Sequence, residues 1–159
     1  MSFLFIPLLV LGCLYALVAG GGPERVGAAV YGLACFSSLA LFSAPTARFR
    51  SIEVGVFAVD VLVFIAFLIL ALRANRFWPI WVSGLLGLGV LGHLARWAGP
   101  EVIPWAYAVI LSIWSYPILA IIVIGTFNHR RRLARLGADA SWSSSSAPLA
   151  TKRRAGPTG

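Results

Sequence analysis

The side chains able to do chemistry are few, and four of them fall into register. Glu53 and Asp60 lie seven residues apart, two helical turns, so on a helix they share one face; His93 and Arg96, three apart, share another. A helical hairpin turning near residues 75–76 brings Asp60 level with His93 and Glu53 level with Arg96, an acidic stripe opposite a basic one. Tyr107 enters the next apolar run at nearly the same height, where its hydroxyl can donate to the cluster. Two roles fit this constellation. Asp60 and His93 can relay a proton or bind a small cation, as carboxylates and imidazoles inside apolar segments do. Alternatively the pairs fix helix register, with each polar contact between helices contributing about 0.6 to 2 kcal/mol. The register role is the simpler expectation.

Other chemistries lack the residues they need. Cys13 and Cys35 come to similar depth if the chain turns near residues 22–23, but there is no CxxC, and two isolated thiols read as small apolar side chains. A bis-histidine haem needs facing imidazoles; His129 falls at the opposite membrane surface from His93, and Met1 is the only methionine. No phosphate-binding glycine loop, HExxH or GxSxG occurs. The expectation is a non-enzymatic protein with no cofactor and no bound metal.

The elements that position these residues follow from composition. Of 159 residues, 60% are hydrophobic and 11% charged, with a mean hydropathy of +0.90; soluble domains run near 25% charged. A 17 kDa chain has too little interior to hide that apolar excess, so its solvent is lipid. Five apolar runs, 3–20, 26–45, 54–72, 79–97 and 104–125, each reach about 30 Å as helices, the thickness of a hydrocarbon core. The runs are continuous rather than alternating, and open strands would leave backbone groups unpaired in lipid. The fold class expected is all-α: an integral membrane bundle of five transmembrane helices over residues 1–136, followed by a disordered cytoplasmic tail over 137–159. Short links make consecutive helices antiparallel neighbours.

Charge sets the orientation. Arg25, Arg73, Arg76 and the tail residues Arg130, Arg131, Arg132, Arg135, Lys152, Arg153 and Arg154 fall on one side, against Arg48, Arg50 and Arg96 on the other. By the positive-inside rule the N-terminus is outside and the tail cytoplasmic. The net charge of +8 is thus a topology signal, not a nucleic-acid surface. The first run is expected to stay as a span instead of being cleaved as a signal peptide, because no basic residue precedes it. Trp78, Trp81, Trp97 and Trp105 are expected at headgroup depth. Pro117 interrupts the fifth run and is expected to kink it.

Small residues allow close approach of helices in lipid. Gly12, Ala16 and Gly20 form one ridge, and Ala28 and Gly32 another, so the first two spans are expected to pack closely. Gly84, Gly87, Gly89 and Gly92 predict a second close contact or a flexible helix. Arg130, Arg131, Arg132 and Arg135 are placed at anionic lipid headgroups. Arginine supplies every basic position but Lys152, which with the abundant Ala and Gly points to a GC-rich bacterial genome.

Several stretches, Glu24-Arg25-Val26-Gly27-Ala28, Glu53-Val54-Gly55-Val56 with Asp60, Arg76-Phe77-Trp78-Pro79, Gly92-His93-Leu94-Ala95, Trp114-Ser115-Tyr116-Pro117 and Gly125-Thr126 before the Arg run, resemble an uncharacterised family of short multi-spanning alphaproteobacterial inner-membrane proteins. The resemblance covers about residues 1–142 and implies a location without an activity. The expected function is a small accessory or structural subunit of the bacterial inner membrane, assembling with itself or a larger membrane complex. The alternative is a small proton- or cation-coupled transporter using Asp60 and His93.

Overall fold

The computed structural model describes residues 4–40, 54–98 and 113–143. Among them the chain is all-α, with five helices: α1 (Phe5–Ala19), α2 (Gly22–Ala40), α3 (Val54–Arg73), α4 (Trp78–Ala98) and α5 (Ser115–Leu136). The buried residues recur every three or four positions on each, which is the spacing of one helical face. Phe5, Leu9, Cys13 and Ala16 of α1 meet Ala28, Tyr31 and Cys35 of α2, Val63, Phe67 and Leu70 of α3, Val82 of α4 and Ile118, Leu119 and Ile122 of α5 in one core. The helices close a ring. Each packs on the next, α5 returns to α1, and α2 also touches α5 across the middle. Tyr31 Oη ties that crossing by donating to the Ser115 carbonyl at 2.9 Å.

Among the described residues two helices, α3 and α4, are long and apolar enough to cross a membrane. Helix α1 is apolar but only 15 residues long, and the other two carry charge: α2 opens with Glu24 and Arg25, and the second half of α5 holds the Arg run.

The small residues of α1 and α2 are packed, though not only on each other. Ala16 and Ala28 are fully buried. A Cβ on Gly32 would sit 3.6 Å from Cys13 Sγ, while one on Gly12 would meet Leu119 of α5 at 2.8 Å, so the α1 ridge faces α5 as well. Gly20 ends α1, and Arg25 Nε donates to its carbonyl at 3.0 Å. On α4, Gly87 lies against Phe64, but Gly84 and Gly89 have nothing within 4 Å of an added Cβ; the expected close contact does not extend over that stretch. Cys13 and Cys35 are buried free thiols.

Pro117 lies in the first turn of α5, where its missing N–H leaves no hydrogen bond unmade; a turn at Trp114 separates this helix from the helical residue Ile113, so the fifth apolar run breaks just ahead of the proline. Trp78 is buried within the bundle, while Trp81 and Trp97 are exposed; Trp105 lies outside the described residues. One further expectation is corrected. Residues 137–143, expected to begin a disordered tail, form an ordered strap. Gly137, at φ 72°, ends α5 in the left-handed conformation that glycine adopts without strain, and its N–H donates to Leu133. The chain then doubles back over the α3–α4 turn: Asn75 N donates to Ser141 O, Ser143 N to Arg73 O, and Ala74 faces Trp142 in an isolated antiparallel bridge.

Candidate functional site

Among the described residues two polar clusters lie inside the bundle, one at each end. The first joins α3 and α4 two turns from the end where α3 begins. Asp60 Oδ2 stands 2.9 Å from His93 Nε2, with the imidazole 1% exposed and the carboxylate 31% exposed. Helix register explains the meeting, since antiparallel α3 and α4 run out of the same short turn. Phe57, one turn before Asp60, covers the imidazole with ring centroids 5.4 Å apart, and Trp97 closes on Phe57 at 6.5 Å. Arg96, buried, follows on the next turn of α4. Glu53 and Tyr107 lie outside the described residues. The arrangement is a carboxylate–imidazole pair screened by aromatic rings on one flank and open at the carboxylate, able to hold or pass one proton.

The second cluster occupies the opposite end, where the α1–α2 and α3–α4 turns and the strap converge. Its centre is Glu24, in the first turn of α2 and 0% exposed. Glu24 Oε1 accepts from Arg76 Nε at 3.2 Å and from Trp78 Nε1 at 3.1 Å. A carboxylate at a helix N-terminus also complements the positive end of the helix dipole. Arg76, in the α3–α4 turn, spends its other nitrogens on Asn75 O, Ala140 O at 2.7 Å and Asp139 Oδ2 at 2.7 Å. Asp139 also lies 2.6 Å from His129 Nδ1 and accepts from Arg132 Nε at 3.1 Å. One guanidinium therefore joins α2, the α3–α4 turn and the strap, and one carboxylate joins the strap to α5. Burial alone would raise the Asp139 carboxyl; hydrogen bonds from His129 and Arg132 and the charges of Arg76 and Arg132 outweigh it and hold the group below its ordinary value.

Trp78 builds the floor of this cluster. A Cβ on Gly27 would approach its ring to 2.5 Å and one on Gly125 to 2.8 Å, so only glycine on α2 and α5 admits the indole between them. Phe67 meets it edge-on at 6.2 Å. Trp142 of the strap covers Gly22, whose added Cβ would lie 3.0 Å from the indole nitrogen.

Arg132, expected at lipid headgroups, also holds Asp139 through its Nε; Arg130, Arg131 and Arg135 are exposed, with Arg131 stacked over Phe127 at 5.8 Å. Arg76 was counted only as a topology charge, and Glu24 was given no role. The signal that marks them is scarcity: the chain has five acidic residues, and the three within the described residues, Glu24, Asp60 and Asp139, all have an ionisable partner.

Among the described residues no group of three or more His, Cys, Asp or Glu is arranged to hold a metal ion. Comparison with family models, curated proteins and solved structures finds no match.

Proposed function

We propose that this chain is a multi-pass protein of a bacterial inner membrane, with the N-terminus outside and the tail cytoplasmic, acting as a small non-enzymatic structural or accessory subunit of a membrane assembly. The observation that carries the membrane reading is the outward direction of the apolar side chains. Only 17% of the α3 span and 33% of the α4 span is buried inside the chain, whereas a core helix of a soluble protein is mostly buried. Leu62, Leu72, Phe77, Trp81, Leu91 and many others point away from the bundle. An apolar surface of that extent needs lipid or another subunit. On this reading α1, α2 and α5 complete five spans, the shorter apolar lengths matched by bilayer thinning and snorkelling of the Arg side chains.

The structural role is supported by where the polar groups are spent. The cluster around Glu24 binds three helices and the strap into one unit: Arg76 is engaged by Glu24, Asp139 and two carbonyls, and Arg132 gives its Nε to Asp139, while Glu24 Oε2 accepts no bond among the described residues. The half-exposed carboxylate of Asp60 favours one second reading, a proton- or cation-coupled transporter.

Purification of the full chain in mild detergent separates the two. A stoichiometric larger partner, or a defined homo-oligomer without flux, is the outcome expected of a subunit. Flux in liposomes that depends on pH and is removed by Asp60→Asn, with normal accumulation of the variant, would replace that reading with the transporter.

A further inference from the structure

A groove of about 570 Å³ opens between the start of α4 and the middle of α5. Its walls change character along its length. Toward the middle of the bundle they are Trp81, Ile121 and Ile124, with Trp78 and Gly125 behind; toward the strap they are Asn75, Arg76, Asn128 and Arg132. Trp81 and Ile124 are exposed, so the apolar half opens to the lipid-facing side of the bundle.

The polar half has donors to spare. Asp139, the acid in its wall, is already engaged by His129, Arg76 and Arg132. Arg132 commits only Nε to it; among the described residues its two terminal nitrogens make no hydrogen bond, and its side chain stays 39% exposed. The side-chain amides of Asn75 and Asn128 make none either. A guanidinium with two free N–H-bearing nitrogens beside two amides is a receptor for a tetrahedral oxyanion. An apolar channel leading from it toward the bilayer centre accepts an acyl chain. Arg130, Arg131 and Arg135 add positive field at the same end.

We propose that this groove binds one anionic phospholipid of the cytoplasmic leaflet, its phosphate at Arg132 and Asn128 and one acyl chain along Trp81, Ile121 and Ile124. The inference rests on the membrane reading above and adds a defined ligand to it. Anionic lipid is favoured over zwitterionic because a choline or ethanolamine cation would be brought to a surface already rich in Arg. Inorganic phosphate gains nothing from the apolar half.

The test uses the full chain in mild-detergent micelles doped with phosphatidylglycerol, with phosphatidylcholine, or with inorganic phosphate alone. Retained lipid is counted by native mass spectrometry, and tryptophan quenching by brominated acyl chains reports its position. One retained phosphatidylglycerol is expected, held about tenfold more strongly than phosphatidylcholine and not displaced by millimolar phosphate. Arg132→Gln lowers retention about tenfold. Because that change also touches the strap, Ile124→Trp provides the second variant: it fills the apolar half, leaves every charge in place and abolishes both retention and quenching. Leu62→Trp, at an exposed position of α3 outside the groove, leaves binding unchanged. Equal retention of the two lipids, or undiminished binding by Ile124→Trp, would overturn the site. Recovery of the chain in the soluble fraction without detergent would overturn the membrane reading itself, so the two failures are distinguishable.

Discussion

Replacing Arg76 with methionine keeps the length of the side chain and removes its guanidinium, and the consequences are legible bond by bond. Glu24 Oε1 keeps only Trp78 Nε1 as a donor, Asp139 loses one of its three partners, and the Ala140 carbonyl loses its 2.7 Å bond. Glu24 is fully buried and the Arg76 side chain only 4% exposed, so water cannot replace what is lost without opening the bundle. Removing one partner of a buried ion pair costs about 3–5 kcal/mol. At about 2–4 °C per kcal/mol for a chain of this size, the melting temperature should fall by roughly 6–20 °C. Thermal unfolding in mild detergent, followed by tryptophan fluorescence, reads the change directly. Adding Glu24→Gln to Arg76→Met should recover part of it, because an uncharged amide still accepts from Trp78 and no bare carboxylate stays buried; a coupling of about 0.5–3 kcal/mol is expected. Arg135→Met, at an exposed position, is the control and should melt like the parent. An Arg76→Met protein melting within 2 °C of the parent (about 1 kcal/mol or less), or a double variant whose losses simply add, would refute the claim that this pair locks the inner end.

Gly27→Ala and Gly125→Ala each force a methyl against Trp78 and should cost about 1–3 kcal/mol, whereas Gly84→Ala meets nothing within 4 Å and should be neutral or stabilising; thermal melts rank the three. The strap should release only in acid: Asp139 has a folded value below its ordinary one, so its contribution is present above about pH 4 and is lost as pH falls through the lower folded value. Limited proteolysis after Leu136 should therefore be slow at neutral pH and rapid well below pH 4, while Asp139→Asn should be cut rapidly at pH 7. Asp60→Asn should lower stability by about 0.6–2 kcal/mol, less than Arg76→Met, since its carboxylate is partly exposed; a larger loss than Arg76→Met in the same melt would reverse the ranking of the two clusters.

The helices and the Asp60–His93 meeting were legible in the sequence for one reason: a short turn between two long apolar runs leaves little freedom of register, so depth follows from position along the chain. The inner cluster was not legible by that route. Glu24, Arg76, His129 and Asp139 come from four separate stretches, and no hairpin relation links Glu24 to Arg76 or Arg76 to Asp139. Counting Arg76 as a topology charge treats it as solvated, whereas two nearby carboxylates and two carbonyls take the place of water around it. The burial of Trp78 inside the bundle was not legible for a related reason. A tryptophan at a span end ordinarily lies at the interface, but Gly27 and Gly125 open a slot that only their pairing across α2 and α5 creates, and that pairing is tertiary. Low hydrophobicity between Gly137 and Ser143 read as disorder, although the backbone there is held by the α3–α4 turn and by a single carboxylate, a few directional bonds that composition does not register.

The claim beneath all of this is that the exposed apolar flanks of α3 and α4 face lipid. Washing membranes from expressing cells with alkaline carbonate tests it most directly, because the treatment strips proteins held by charge and leaves those held in the hydrocarbon core. The account requires the chain to stay in the membrane pellet and to enter solution only with detergent. Release into the carbonate supernatant as a folded protein would contradict it.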